Sequence, residues 1–223
     1  MKKRCENLTT KYARKIGSAF SAKGKERLLA KFMRAVHLYD KGKYEGALKA
    51  FQKMKEMCTS VEDTTGVFLF EAMCFEKLRR QEDARTTYEV LLKRNENCPE
   101  ALVGLGYLFQ ANAKPEAAIE QYQKAMMLDA NNAMAFCRMS EVLYGLKRYE
   151  EAVATALHAL GLDDTLHTAA GVVCLSYAVL GNKEMSQKFF DIAVQAGADE
   201  KGLRTTMKSH FRRRTGLNKK YFE

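Results

Sequence analysis

The sequence predicts an all-helical protein: a right-handed α-solenoid of about five helical hairpins, closed by a capping helix near the carboxyl terminus. Two observations predict this fold class. The 223 residues include only two prolines, and no stretch of alternating β-branched side chains typical of strands is present. In addition, one pattern of small and large residues recurs along the chain at a nearly constant spacing, which indicates a repeat architecture.

A small residue marks the same place in each of five copies of the repeat. The first two of these anchor residues are 37 positions apart, and each later anchor follows the one before it by 34 positions. The anchors are Ala47, Ala84, Ala118, Ala152 and Ser186, followed four residues later by Phe51, Tyr88, Tyr122, Ala156 and Phe190, and seven later by Met54, Leu91, Ala125, Ala159 and Ala193. Another small residue precedes each anchor by twelve positions: Ala35, Ala72, Gly106, Ser140 and Cys174. This spacing favours two closely packed helices, because small residues on one helix admit large side chains of the other.

The period, together with Gly106, Phe109, Ala118, Tyr122 and Ala125 of the third copy, resembles the tetratricopeptide repeat family. The resemblance covers residues 28–200, and it divides them into copies 28–61, 65–98, 99–132, 133–166 and 167–200. It implies that stacked hairpins share one continuous core and that the protein is a non-enzymatic scaffold or adaptor for other polypeptides.

The two ends of the chain carry the net positive charge of +10. Residues 1–27 and 201–223 each have a net charge of +7, whereas residues 28–200 have −4. In the carboxy-terminal segment, Leu203, Met207 and Phe211 form a helical stripe that predicts the capping helix, followed by a loose basic tail.

The amino-terminal segment contains an apolar stripe at every fourth residue. Leu8, Tyr12, Ile16 and Phe20 predict a short amphipathic helix with basic neighbours. Such a helix can pack on its own protein, bind a partner or lie on a membrane surface. The sequence leaves these three roles open.

Catalytic and cofactor motifs are not found in the sequence. The six cysteines lack the close spacing of zinc or redox sites, and we expect them to be reduced thiols without a metal or cofactor. Gly104 and Gly106 resemble a fragment of a nucleotide loop, but they lie inside a predicted helix, where glycine serves close packing. Neither a secretory signal nor an apolar stretch long enough to span a membrane is recognisable, so the expected location is cytoplasmic.

The resemblance also implies a binding groove lined by the first helix of each copy. Family members that grip a carboxylate use basic and amide side chains, whereas Phe32, Val36, Phe70, Glu100 and Gly104 occupy those places here. An apolar groove suits a helix or an extended peptide, which suggests an adaptor or a chaperone-like protein. The predicted groove residues are Phe32, Val36, Tyr39, Leu69, Met73, Val103, Tyr107, Met134, Tyr144 and Leu175.

Three alternatives for the binding partner remain open, two for the groove and one for the basic ends of the chain. An external protein or peptide is the first, and the chain's own terminal helix or a second copy in a homodimer is the second. The third reading is nucleic-acid binding by the basic ends, with Lys2–Arg4 and Arg212–Arg214 on phosphates and Tyr12 or Phe211 stacking on bases.

Overall fold

The computed structural model describes residues 2–15, 22–58 and 60–215. Within these ranges the chain forms twelve α-helices and no strand, which confirms the predicted all-α fold class. The helices are α1 (Lys2–Ala13), α2 (Ala22–Asp40), α3 (Tyr44–Lys55), α4 (Val61–Lys77), α5 (Gln81–Arg94), α6 (Pro99–Ala111), α7 (Pro115–Leu128), α8 (Ala133–Gly145), α9 (Tyr149–Leu162), α10 (His167–Leu180), α11 (Lys183–Gln195) and α12 (Glu200–Thr215). None of the helices in these ranges is long and apolar enough to cross a membrane.

The helices from α2 to α11 follow one another as hairpins, and the chain divides into two compact units. The N-terminal unit, Met1–Leu108, contains the α2–α3 and α4–α5 hairpins and most of α6. The C-terminal unit, Phe109–Glu223, contains the α8–α9 and α10–α11 hairpins and α12. Within each unit, the second helix of one hairpin packs against the first helix of the next, as α3 packs against α4 and α9 against α10.

The repeated positions form the core. The anchors and the residues four and seven places after them are all buried, as are the small residues twelve places before them. Gly104 shows why small residues are needed, because a Cβ at that position would overlap the ring of Tyr88. The Tyr88 hydroxyl, which lies against the glycine, donates a hydrogen bond of 2.7 Å to Glu76. Gly104 therefore serves close packing within α6, as the sequence analysis expects for a glycine inside a helix.

The turn inside each hairpin uses one left-handed residue at the same place in every copy. One or two residues after the first helix ends, a residue adopts a positive φ between 54° and 85°, and the following amide donates to a carbonyl five residues earlier. This arrangement caps the helix by satisfying carbonyl groups that lack a partner within it. The left-handed residues are Gly42, Arg79, Ala113, Lys147 and Gly181. Only the first and the last copy have the glycine that this conformation favours.

Aromatic side chains fill the core of the N-terminal unit between α2, α3 and α4. The Phe32 ring lies edge-on to Phe51 and Phe70, with centroids 5.9 and 5.5 Å away, and the Phe51 and Phe70 rings stack at 5.5 Å. Beside them, the ammonium group of Lys55 lies 2.7 Å from a carboxylate oxygen of the buried Glu71. This ion pair joins the second helix of the first hairpin to the first helix of the second.

Candidate functional site

The first helices of the N-terminal unit form a face on which α1 lies. We call this surface the first-helix face and define it by α2, α4 and the beginning of α6. Helix α1 packs against α2 and α4. It buries Leu8 and Tyr12, and Tyr12 is only 2% exposed. Of the roles left open for the amino-terminal stripe, the structure therefore shows intramolecular packing for Leu8 and Tyr12, while Ile16 and Phe20 lie outside the described residues.

Gly66 of α4 provides the place into which Tyr12 fits. A Cβ added at Gly66 would lie 2.7 Å from the Tyr12 Cβ, closer than two such atoms approach in proteins. The overlap falls on the base of the tyrosine side chain, so rotating the ring cannot relieve it. The absence of a side chain at residue 66 thus allows α1 to approach the backbone of α4 closely.

Glu100 at the start of α6 supplies the polar part of the contact. Its Oε2 accepts a hydrogen bond of 2.9 Å from the Tyr12 hydroxyl, and its Oε1 pairs with the ammonium group of Lys11. The Sγ of Cys98 lies 3.8 Å from the same hydroxyl. One carboxylate therefore holds two neighbouring residues of α1, across 88 and 89 positions of the chain.

The titration of these groups reflects their burial and the shared carboxylate. Burial raises the pKa of Tyr12 far above its ordinary value, and the nearby Cys98 and Glu100 raise it further. Burial alone would raise the pKa of Glu100, but the hydrogen bond and charge of Lys11 outweigh it and the pKa is lowered. Burial, with Glu100 adding to it, raises the pKa of the Cys98 thiol to about 11. At neutral pH the site therefore contains a neutral tyrosine, a neutral thiol and a carboxylate paired with a lysine.

Six of the ten predicted groove residues are not exposed in the structure: Phe32, Val36, Tyr39, Leu69, Met73 and Val103 are buried. These six side chains are buried in the chain by itself, and their role in binding a partner stays a prediction. The physical reason is visible at Phe32, whose ring points between α3 and α4 rather than out of α2. Instead of forming a surface, these side chains lie in the packing beneath or beside it.

The other four predicted groove residues keep accessible surface. Tyr107 is 38% exposed in the N-terminal unit, and Met134, Tyr144 and Leu175 are half-buried in the C-terminal unit. The Tyr144 ring lies edge-on to Tyr149, with 5.6 Å between centroids, and its hydroxyl is 2.7 Å from the Nε2 of His210 on α12. Tyr144 is thus already engaged by the capping helix.

Helix α12 covers the first helix of the last hairpin. It packs mainly on α10 and buries Met207 and Phe211, which confirms the predicted capping helix. The guanidinium carbon of Arg204 lies 4.5 Å from the centroid of the Phe190 ring. Both terminal helices of the described chain therefore lie on first helices of their own unit.

The hypothesis of nucleic-acid binding included two aromatic rings that would stack on bases. Tyr12 and Phe211, the two rings expected to stack on bases, are both buried. The expectation that they are available to bases is therefore wrong, because each ring anchors a terminal helix to its own unit. The side chains of Lys2–Arg4, Arg213 and Arg214 lie outside the described residues.

The described side chains contain no group of three or more metal-ligating residues. Five cysteines are free and buried, namely Cys58, Cys74, Cys98, Cys137 and Cys174. Burial is the main cause that raises the pKa of Cys74 to about 12 and of Cys174 to about 11. The Cys74 and Cys174 thiols are therefore shielded and protonated at neutral pH, as suits core residues.

Comparisons with known proteins agree with the helical-repeat fold. The family model described as the tetratricopeptide repeat matches residues 72–133. The type IV pilus assembly protein PilF of Pseudomonas aeruginosa is 34% identical over 86 residues, which cover 39% of this chain and 33% of that protein. The chain therefore matches about a third of the length of this curated relative.

Solved structures share the fold at low sequence identity. The thermophilic tetratricopeptide repeat protein TTC0263 of Thermus thermophilus has a TM-score of 0.66 at 19% identity, covering 82% of this chain and 98% of that one. MamA has a TM-score of 0.58 at 19% identity, covering 76% and 96%. YrrB, described as having an unusual peptide-binding site, has a TM-score of 0.55 at 18% identity, covering 80% and 90%. Residues 72–133 thus match the tetratricopeptide repeat, and the regular hairpins and the solved structures show that the chain has the tetratricopeptide-repeat fold.

Proposed function

We propose that this protein is a non-enzymatic adaptor that binds a helical segment of another polypeptide on the first-helix face of its N-terminal unit. One observation carries the proposal: this face already holds an amphipathic helix, α1, through two buried apolar side chains and one shared carboxylate. A surface that accepts a helix from its own chain has the shape and chemistry to accept one from a partner.

The proposal requires α1 to leave the face when the partner binds. Only Leu8, Thr9 and Tyr12 are buried among the α1 side chains that the structure describes. A contact of this size is small compared with the core of the unit, so α1 can detach while the hairpins remain folded. The partner helix would then present an aromatic residue to Gly66 and a hydrogen-bond donor to Glu100.

YrrB, a tetratricopeptide-repeat protein with an unusual peptide-binding site, supports peptide binding as a use of this fold. The exposed ring of Tyr107, on α6 beyond Glu100, offers a further contact for a segment longer than α1. A chaperone-like role, in which the face shields an apolar helix of an unassembled partner, is one form of this function.

Binding of the α1 sequence supplied as a separate peptide tests the proposal. The full chain with Leu8→Ala and Tyr12→Ala has a weakened helix of its own, and a fluorescent peptide of residues 2–15 should bind it saturably by anisotropy. Adding Gly66→Ala should abolish this binding, because the new methyl group occupies the place of the tyrosine. Gly161→Ala, where an added Cβ meets nothing within 4 Å, is the matched control and should bind normally.

The same variants identify the partner in cells. Proteins cross-linked to the Leu8→Ala and Tyr12→Ala chain should be displaced by the α1 peptide and lost in the Gly66→Ala variant. Capture that is indifferent to both would place the partner elsewhere on the molecule and refute the proposal.

A further inference from the structure

A second surface of the N-terminal unit lies between α2 and α3, away from α1. It contains an open cleft of about 260 Å³. The lining combines an aliphatic floor with basic side chains: Lys31, Arg34, Ala35, Leu38, Ala50, Lys53, Met54 and Met57. Among the described residues, α1 contacts α2 and α4 but not α3, so it leaves this cleft uncovered.

The three cations of the cleft have no acidic partner among the residues that the structure describes. Lys31 donates to the sulfur of Met57 at 3.2 Å, and none of Lys31, Arg34 and Lys53 forms an ion pair with a described residue. Elsewhere on the described helices, exposed cations pair with an acid three or four residues away, as Arg85 does with Glu89 and Arg148 with Glu151. Lys53 has Glu56 three residues later, but these two described side chains form no ion pair. The cleft is therefore a local concentration of unneutralised positive charge around apolar side chains.

The second hairpin shows which contact the surface equivalent to the cleft makes. Residues 37 positions further along occupy the same sites in the second hairpin, so Lys31, Arg34 and Leu38 correspond to Phe68, Glu71 and Phe75. Those three are buried on α4, which packs against α3 of the preceding hairpin. The cleft is thus the surface onto which the second helix of a preceding hairpin would stack.

The electrostatic polarity of the two surfaces is opposite. In the second hairpin an acid, Glu71, faces the surface and pairs with Lys55 of the stacked helix at 2.7 Å. In the first hairpin the corresponding residue is Arg34, with Lys31 and Lys53 beside it. A helix stacked here must therefore carry acids where α3 carries lysine.

We propose that the cleft between α2 and α3 binds an acidic amphipathic helix of a partner polypeptide, which stacks on the first hairpin as α3 stacks on α4. Its apolar side chains enter the cleft over Leu38 and Met57, and its carboxylates pair with Lys31, Arg34 and Lys53. This site is separate from the first-helix face and does not require α1 to move.

The undescribed parts of the chain do not have the chemistry of this occupant. Residues 16–21 contain no acid, and residues 216–223 contain one glutamate against two lysines. An exposed end of a solenoid needs polar residues for solubility alone, but solubility does not require an open apolar floor between the cations. A concave cleft also suits an inserted side chain better than a flat lipid surface.

A peptide probe with reversed charges tests the proposal on the full chain. The probe is residues 44–57 with Lys49→Glu, Lys53→Glu and Lys55→Glu, and the unchanged peptide of the same residues is its basic control. The acidic probe should bind, as measured by fluorescence anisotropy, and the basic peptide should not. Binding should weaken with added salt, because exposed charge pairs are screened.

Charge exchange in the protein makes the result decisive. Lys31→Glu with Arg34→Glu should weaken binding of the acidic probe by about tenfold or more, because attraction becomes repulsion, and should allow the basic peptide to bind. Lys188→Glu with Lys201→Glu, exposed cations of the C-terminal unit, makes the same change in net charge and should have no effect. Gly66→Ala should also have none, which separates this site from the first-helix face.

Three results would overturn the proposal: no binding of the acidic probe, equal binding to the charge-exchanged variant, or loss of binding in the charge-matched control. Vesicles containing phosphatidylserine provide a further arm. If they bind the unchanged chain and not the Lys31→Glu and Arg34→Glu variant, while the probe does not bind, the basic surface serves a membrane and the proposal fails.

Discussion

Tyr12 lies directly over Gly66, and a Cβ at residue 66 would be 2.7 Å from the tyrosine Cβ. The two residues are 54 positions apart in the sequence, yet the missing side chain of Gly66 makes the space that Tyr12 fills. The contact positions α1 on α4 and brings the Tyr12 hydroxyl to Glu100.

We predict that Gly66→Ala detaches α1 without unfolding the hairpins. Overpacking of this kind costs about 1–3 kcal/mol, enough to raise the undocked population by about tenfold or more. Cys98 reports the change, because its Sγ lies under the Tyr12 hydroxyl and burial holds its pKa at about 11. Its rate of reaction with a thiol reagent, followed by mass spectrometry, should rise by about tenfold. Gly161→Ala should leave the rate unchanged.

Docking of α1 should depend on pH in the acidic range. The pKa of Glu100 is lowered from 4.5 by Lys11 in the docked state, so the ionised carboxylate stabilises docking above pH 4.5. This contribution is lost as the pH falls through the lowered pKa. Energy transfer between dyes at Thr10→Cys and Lys77→Cys should decrease in that range. With Glu100→Gln the acid-dependent decrease should disappear; persistence of the same transition would assign it to another group.

The left-handed residues of the hairpin turns predict opposite effects of glycine at different places. Ala113→Gly and Lys147→Gly should each raise the free energy of unfolding by about 1 kcal/mol, because a side chain is strained at positive φ. Gly181→Ala should lower it by a similar amount. Gly161 lies within α9, where Gly161→Ala should instead stabilise by about 0.5–1 kcal/mol. Urea unfolding of the four variants measures the signs, and a loss of stability in Ala113→Gly would contradict this account.

The ion pair between Lys55 and Glu71 predicts a strongly non-additive double-mutant cycle. Glu71 is 2% exposed and Lys55 is 30% exposed, so Lys55→Met leaves a buried carboxylate without its partner. We expect a loss of about 2 kcal/mol, less than for a fully buried pair because the lysine retains solvent. Lys55→Met with Glu71→Leu should recover most of the stability in urea unfolding. If the loss of stability in the double variant equals the sum of the losses in the two single variants, the pair is not coupled.

The sequence predicts the fold well because the repeat encodes local packing. A small anchor and a large residue four positions later recur on one helix face, and every such position from Ala47 to Ala193 is buried. The stripe of Leu203, Met207 and Phe211 predicts the capping helix for the same reason. These features depend on helical periodicity, which the sequence shows directly.

The candidate site is predicted less well because it depends on contacts between distant residues. Phe32 and Met73 match groove positions of the family by number, but their side chains are buried in the structure. The pairing of Tyr12 with Glu100 joins residues 88 positions apart, and no local pattern indicates it. The missing side chain at Gly66 is a signal in the sequence, but its meaning appears only once α1 is placed.

Helix α1 is a tethered ligand, since only eight residues separate its end at Ala13 from the start of α2 at Ala22. A short tether gives an effective concentration on the order of millimolar at the face it covers. A free helix with the same intrinsic affinity would have to reach a comparable concentration to displace it. For the proposed binding on the first-helix face, α1 therefore sets a threshold of affinity that a partner helix must exceed, and weak chance ligands fall below it.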